Sequence, residues 1–201
     1  HLLDGGYRSF LRGHGPRDLG FAPGAPVCAR QARREPGVHE LVTEESAARS
    51  GDRSWSSMNP EHMRRAIELS KLGVGRTSPN PSVGAVVVRG AVVVGEGWHR
   101  RAGEPHAERV ALAHAGRAAR GADLYVTLEP CCHHGRTPPC TDAIVQAGVR
   151  RVFYACRDPD PRCAGGGHAA LQAAGVEVQG GLMAAQAAVV NEAYFKHKCT
   201  G

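Results

Sequence analysis

Two short runs of β-branched residues and the alternating pattern after them constrain the fold most strongly. The runs SVGAVVV and AVVVGEG flank Arg89-Gly90, which predicts a hairpin of two buried strands. Helix patterns then alternate with the apolar segments LYVTL, RVFYAC and VEVQ; they lie at about 106–119, 140–147, 168–175 and 183–195. Such alternation places helices on both faces of a sheet. The sequence therefore predicts an α/β protein with three layers, α/β/α, and a mixed sheet of about five strands.

The folded domain is predicted to begin at Met58. Asn59 is suited to cap a helix and Pro60 to occupy its first position, and Gly73 follows its apolar face and ends it. Residues 1–57 instead mix Gly, Pro, Arg, Ser and Glu without periodicity, which indicates a disordered or non-native leader. An irregular accessory segment is the alternative interpretation. The expected organisation is this leader followed by one domain over residues 58–201.

Charge and cysteine content narrow the classes of function. The formal net charge is +6, and residues 1–57 contribute eight Arg against seven Asp and Glu, so about +5 belongs to residues 58–201. A basic domain suits an anionic partner, either a phosphorylated small molecule or a nucleic acid. Seven cysteines without a secretory signal favour reduced thiols in the cytoplasm, used for metal binding or catalysis, over disulfides. No apolar run is long enough to span a membrane, so no membrane partner is expected.

Residues that bind metals stand at the ends of three predicted elements. His106 starts a helix, Cys131 follows the strand LYVTL, and Cys140 opens a helix, where the thiolate form is favoured. A catalytic zinc site takes three protein ligands and keeps a fourth position for water. His134 competes with Cys140 for the third position, because a literal P-C-x-x-C spacing would end there. The neighbouring Cys132 and His133 are assigned to loop packing.

Glu108 follows His106 by two residues, so both side chains can approach one centre without the glutamate binding the metal. Such a carboxylate can take a proton from water and pass it to a leaving group. The pattern H-x-E followed by P-C is typical of zinc deaminases, in which this Glu is the acid and base.

Four longer stretches extend this match: TSPNPSVGAVVV, GWHRRAGEPHAE, YVTLEPCCHHGRTPPC and RDPDPRCAGGG. Together they resemble the deaminase domain of the bifunctional riboflavin-biosynthesis deaminase/reductase, over roughly residues 58–201. The resemblance implies a cytidine-deaminase-like fold and a P-C-x8-C spacing. It also implies zinc on His106, Cys131 and Cys140, with proton transfer by Glu108.

The resemblance further implies a substrate and the residues that contact it. The reaction is hydrolytic deamination of 2,5-diamino-6-(5-phosphoribosylamino)pyrimidin-4(3H)-one to 5-amino-6-(5-phosphoribosylamino)uracil, a step in riboflavin biosynthesis. Asn80 and His99 are expected to contact the substrate, and Arg136 is expected to meet a phosphate or carbonyl, since its planar fork suits phosphate. The family's NADPH-dependent reductase half is absent from these residues, so the chain is expected to deaminate but not reduce. Deaminases of this fold commonly self-associate, which makes a homo-oligomer an open expectation.

Two alternatives stay open. One is a deaminase of free nucleosides or of tRNA adenosine, although HGRTPPC lengthens the C-x-x-C form and no aromatic stacking platform is evident for RNA. The other is a basic zinc module that binds nucleic acid without chemistry. Structural zinc sites are normally closed by four ligands, so three ligands beside Glu108 favour catalysis.

Overall fold

The computed structural model describes residues 58–134 and 138–200, which form one mixed sheet with helices on both faces. The elements in chain order are α1 Pro60–Lys71, β1 Gly84–Arg89, β2 Val92–Trp98, α2 Ala107–Ala115, a 3₁₀ turn Gly116–Ala119, β3 Asp123–Leu128, α3 Cys140–Ala147, β4 Arg151–Cys156, α4 Gly166–Ala173, β5 Glu177–Gly180, α5 Ala184–Val190 and α6 Glu192–Thr200. The strand order is β2-β1-β3-β4-β5. β1 is antiparallel to both of its neighbours, whereas β3, β4 and β5 are parallel. The predicted fold class is confirmed.

The helices divide into two layers. α1 and α5 contact each other and the middle of the sheet, while α2, α3 and α4 pack in succession on the other side. Every residue of β3 and β4 is buried, as expected for strands that are covered on both faces. No helix in the described ranges is both long and apolar enough to cross a membrane.

Two glycines allow helices to approach the hairpin closely. A Cβ at Gly84 would lie 2.0 Å from the Ala66 carbonyl oxygen of α1, and one at Gly95 would lie 2.2 Å from that of Ala111 in α2. Neither position has room for a larger residue. Gly84 therefore brings α1 directly onto the sheet, and Gly95 does the same for α2, whose first turn carries Glu108.

The first helix follows its sequence signals. The Asn59 side chain accepts a hydrogen bond from the Glu61 backbone N–H at 3.0 Å, and Pro60 occupies the first position. Met63, Ala66 and Ile67 lie on its buried face.

Three details differ from the predictions. β2 is an edge strand that is only partly buried: Val92 and Val93, next to the hairpin turn, are 64% and 40% exposed. The helix predicted to continue to residue 119 stops at Ala115, where Gly116 adopts a positive φ of 52° and a 3₁₀ turn follows. The last predicted helix is two helices, α5 and α6, separated at Asn191. The predicted leader, residues 1–57, lies outside the described residues.

Candidate active site

Three side chains meet where β3 ends and two helices begin. His106 caps the N-terminus of α2, Cys131 follows β3 by three residues, and Cys140 is the first residue of α3. The His106 Nδ1 atom lies 3.6 Å from the Cys131 Sγ and 3.3 Å from the Cys140 Sγ. All three donor atoms lie within 4.8 Å of one another. The predicted set is therefore brought together by the fold.

The spacing of these atoms suits one tetrahedral metal ion. With Zn–N near 2.0–2.1 Å and Zn–S near 2.3 Å, a tetrahedral angle separates N and S ligands by about 3.6 Å. The observed separations of 3.6 and 3.3 Å agree with that value. One imidazole and two thiols are also a donor set that zinc prefers. The residues present therefore fit zinc.

The competing residues of the same loop have other contacts. His133 Nδ1 lies 3.1 Å from the Cys163 Sγ, and the Cys132 Sγ points toward the Arg162 carbonyl at 4.0 Å. His134 does not belong to the cluster formed within the described residues. Loop packing therefore accounts for Cys132 and His133.

The two cluster thiols differ in acidity. The pKa of Cys131 is lowered to about 4, first because the Cys140 thiol donates a hydrogen bond to its sulfur and then because of His106. The Cys140 backbone N–H, at the start of α3, also donates to the Cys131 Sγ at 3.4 Å. The pKa of Cys140 is raised by its bond to Cys131 and by burial. The start of α3 thus supplies an N–H donor that favours the Cys131 thiolate, and the thiolate form of Cys140 in a metal site stays a prediction.

Glu108 lies beside the cluster in the first turn of α2 and is 4% exposed. Burial raises the pKa of its carboxyl group, although His106 and a hydrogen bond from Cys140 partly oppose this. Glu108 therefore lies beside the cluster, where a general acid and base for the predicted reaction is required, and burial strengthens its hold on a proton.

A cavity of about 540 Å³ opens onto this cluster. Asn80, His99, His106, Glu108 and Cys131 all line it. The predicted residues on the described part of the chain, apart from the buried Cys140, thus share one cavity. Arg136 lies outside the described residues, so its contact with phosphate stays a prediction.

His99 orients Asn80 through a chain of hydrogen bonds. Its Nδ1 lies 3.1 Å from the Pro105 carbonyl oxygen, which can only accept, so Nδ1 carries the hydrogen. Burial lowers the pKa of His99, which keeps the ring neutral and leaves Nε2 as an acceptor. The Asn80 amide nitrogen, 3.2 Å away, donates to it. Direct contact of His99 with a substrate stays a prediction.

The cavity is also lined by a group of polar residues that was not predicted from the sequence. Tyr194 Oη donates to Asp158 Oδ1 at 2.9 Å. Asp160 accepts from Lys198 Nζ at 2.9 Å and from the Arg162 guanidinium at 2.7 Å, and these cations lower the pKa of Asp160. All five residues line the cavity. The acids stand in RDPDPRC directly after β4, which was a usable signal, whereas nothing local marks Tyr194 or Lys198 on α6.

Glu129 is a further residue that was not predicted from the sequence. It is 2% exposed, and its carboxylate accepts from the backbone N–H groups of Gly165 at 3.1 Å and His168 at 3.0 Å. A weaker contact of 3.4 Å joins it to the Asp158 N–H. Glu129 thus accepts hydrogen bonds from N–H groups at the N-terminus of α4, in the stretch AGGGHAA, that could otherwise have bound a phosphate. The glycines of this stretch form the turn before the helix.

Comparison with known proteins agrees with this site. Residues 56–156 match the family described as cytidine and deoxycytidylate deaminase zinc-binding region. The chain is 53% identical over 140 residues to riboflavin biosynthesis protein RibD of Escherichia coli, covering 70% of this chain and 38% of that protein. It is 49% identical over 140 residues to the diaminohydroxyphosphoribosylamino-pyrimidine deaminase of Buchnera aphidicola from Schizaphis graminum, covering 70% of this chain and 95% of the relative.

The solved structure of RibD from Acinetobacter baumannii superposes with a TM-score of 0.69 at 50% identity, over 70% of this chain and 40% of that one. The chain thus spans about two fifths of the length of both RibD proteins. It belongs to the family of cytidine and deoxycytidylate deaminase zinc-binding domains, in the group with RibD proteins and diaminohydroxyphosphoribosylamino-pyrimidine deaminases.

Proposed function

We propose that the chain catalyses zinc-dependent hydrolytic deamination of 2,5-diamino-6-(5-phosphoribosylamino)pyrimidin-4(3H)-one to 5-amino-6-(5-phosphoribosylamino)uracil. The observation that carries the proposal is the His106–Cys131–Cys140 cluster with buried Glu108 beside it at one cavity. The Buchnera relative, matched over 95% of its length, is named for deamination of this class of compound. The riboflavin pathway follows from the same likeness.

Zinc would be held by His106 Nδ1, Cys131 Sγ and Cys140 Sγ. When bound, it supplies Lewis acidity that brings the pKa of a water molecule close to neutrality. Three protein ligands would suit such a role, because catalytic zinc sites keep a fourth position for water.

Glu108 moves the protons. Its carboxylate takes one proton from the attacking water and gives it to the ring nitrogen next to the amine-bearing carbon as the C–O bond forms. It then takes the second proton from the resulting hydroxyl group and delivers it to the amine, so that the carbonyl forms, the C–N bond breaks and ammonia leaves. Acid–base catalysis by one positioned group typically contributes about 10²- to 10⁴-fold in rate.

The remaining cavity residues bind the substrate. The Asn80 amide, oriented by His99, presents its carbonyl oxygen as an acceptor for a ring N–H or amine group. The excess positive charge of residues 58–201 suits the phosphate, for which Arg136 is the proposed partner. We further propose that residues 58–201 form the catalytic unit, in the cytoplasm, where thiols such as those of Cys131 and Cys140 stay reduced. A measurement of its mass in solution will distinguish a monomer from a homo-oligomer.

The test is ammonia release from this substrate, with zinc content measured on the same samples. Glu108→Gln should keep zinc and lose turnover by about 10²-fold or more, in line with the loss of one acid–base group. Glu68→Gln, on the exposed side of α1, is the matched control and should behave as wild type. Unchanged turnover in Glu108→Gln would refute the assignment. Equal turnover of the dephosphorylated substrate would favour a free-nucleoside deaminase instead.

A further inference from the structure

Asn191 makes two long-range hydrogen bonds from a buried position between α5 and α6. Its Oδ1 accepts from the Ser82 N–H at 2.7 Å, and its Nδ2 donates to the Ser82 carbonyl oxygen at 2.8 Å. The residue is 4% exposed, and the two partners are 109 positions apart in the chain. One amide side chain therefore satisfies both backbone groups of one residue, as a neighbouring strand would.

Ser82 belongs to the segment that carries Asn80. In this segment the Asn80 N–H donates to the Thr77 carbonyl at 2.7 Å, and the Thr77 and Ser82 hydroxyl oxygens are 3.0 Å apart. Pro79 and Pro81 flank Asn80 and have no N–H groups to hold the chain. Asn191 is thus the contact that connects this segment to the C-terminal helices.

The position of Asn191 separates it from the metal site. It lies beyond residues 56–156, which match the zinc-binding family, and none of its hydrogen bonds reaches the cluster. Tyr194, on α6, lines the same cavity and donates a hydrogen bond to Asp158. The C-terminal helices therefore support the substrate cavity and not the metal ligands.

We propose that Asn191 is a positioning residue, which holds the Thr77–Val83 segment so that Asn80 faces the substrate. This inference rests on the proposed function for its effect on turnover, but not for its effect on the segment itself. Loss of Asn191 is expected to weaken substrate binding while zinc stays in place.

Hydrogen exchange at the Ser82 amide tests the structural step without any substrate. By NMR, Asn191→Ala should speed exchange at this amide at least tenfold. Val152→Ala is the control for a general loss of stability, because Val152 is buried in β4 at the end of the strand that lies away from the site. When the two variants are compared at equal stability, Val152→Ala should not speed exchange at the Ser82 amide. Asn191→Asp keeps the accepting oxygen and should keep most of the protection, which also covers the case in which the alanine variant folds poorly. Unchanged exchange at Ser82 in Asn191→Ala would overturn the proposal.

Kinetics of Asn80→Ala, Asn191→Ala and the double variant test the functional step. Asn191→Ala should raise KM at least fivefold with zinc content unchanged. The double variant should fall no more than about twofold below Asn80→Ala in kcat/KM, because coupled residues are not additive. Fully multiplicative losses, or loss of zinc in Asn191→Ala, would contradict the positioning role. If wild type releases no ammonia, the proposed function fails, while the Ser82 exchange result still decides the role of Asn191.

Discussion

Replacing Glu129 should destabilise the protein far more than its place outside the metal cluster suggests. Its carboxylate is buried and accepts hydrogen bonds from the Gly165 and His168 N–H groups at 3.1 and 3.0 Å. Glu129→Ala removes both acceptors at once. Because these N–H groups lie at the start of α4, no earlier turn of the helix supplies replacements.

The expected magnitude follows from these two contacts. A hydrogen bond to a carboxylate contributes about 1.5–3 kcal/mol, so the loss of both gives about 4 kcal/mol in the free energy of unfolding. For a domain of 150–250 residues, each kcal/mol lowers Tm by about 2–4 °C, so Glu129→Ala should lose about 10 °C. Glu129→Gln keeps one carbonyl oxygen but turns an amide N–H₂ toward a donor, so it should lose about half as much.

Thermal unfolding of zinc-saturated protein measures this effect. Glu68→Ala is the control: Glu68 is an exposed glutamate of α1, paired with Lys71 at 2.6 Å on the surface. Such a pair contributes about 0–1 kcal/mol, so this Tm should change by no more than about 3 °C. A Glu129→Ala protein whose Tm falls no further than that of Glu68→Ala would refute the reasoning.

Three further predictions concern zinc, phosphate and the N-terminal residues. Metal analysis should find one zinc per chain, abolished by Cys131→Ala or Cys140→Ala and retained in Cys132→Ala; the opposite pattern would overturn the ligand assignment. Removal of the substrate phosphate should lower kcat/KM at least about tenfold, equal to roughly 1.4 kcal/mol, and so should Arg136→Ala. The two changes together should lower kcat/KM by less than the product of the two separate losses. Fully additive free-energy losses would show that Arg136 does not meet the phosphate. Deleting residues 1–57 should leave Tm and ammonia release intact, and a large drop in Tm would show that the segment packs on the domain.

The metal cluster could be predicted because its chemistry restricts residue types. Few side chains other than His and Cys suit a zinc ion with an open position, and each of the three stands at a predicted helix start or strand end. The distances between these donor atoms confirm that the fold brings them together. Their acidities could not be ranked in advance. The order depends on the Cys140 thiol pointing at the Cys131 sulfur, which spacing along the chain does not reveal.

The errors in secondary structure have tertiary causes. The stretch MAAQAAVVNEAYF is strongly helical in composition, and one asparagine inside it has too small a propensity penalty to predict a break. The break coincides with Asn191, whose side chain bonds to both backbone groups of Ser82, 109 positions away in the chain. Likewise, Val92 and Val93 look like core residues until the strand order places β2 at an edge.

Glu129 and Asn191 have in common that each satisfies backbone groups left unpaired by the fold. Glu129 accepts from the first N–H groups of α4, and Asn191 pairs with both backbone groups of Ser82, in a segment rich in proline. The sequence does not show which backbone groups require a side-chain partner, because this requirement arises only when a helix end or a loop is buried without a backbone partner. The metal ligands, by contrast, are recognisable by their own chemistry. It follows that substitutions of supporting residues should act on stability and substrate binding while zinc is retained, which separates them experimentally from the ligands.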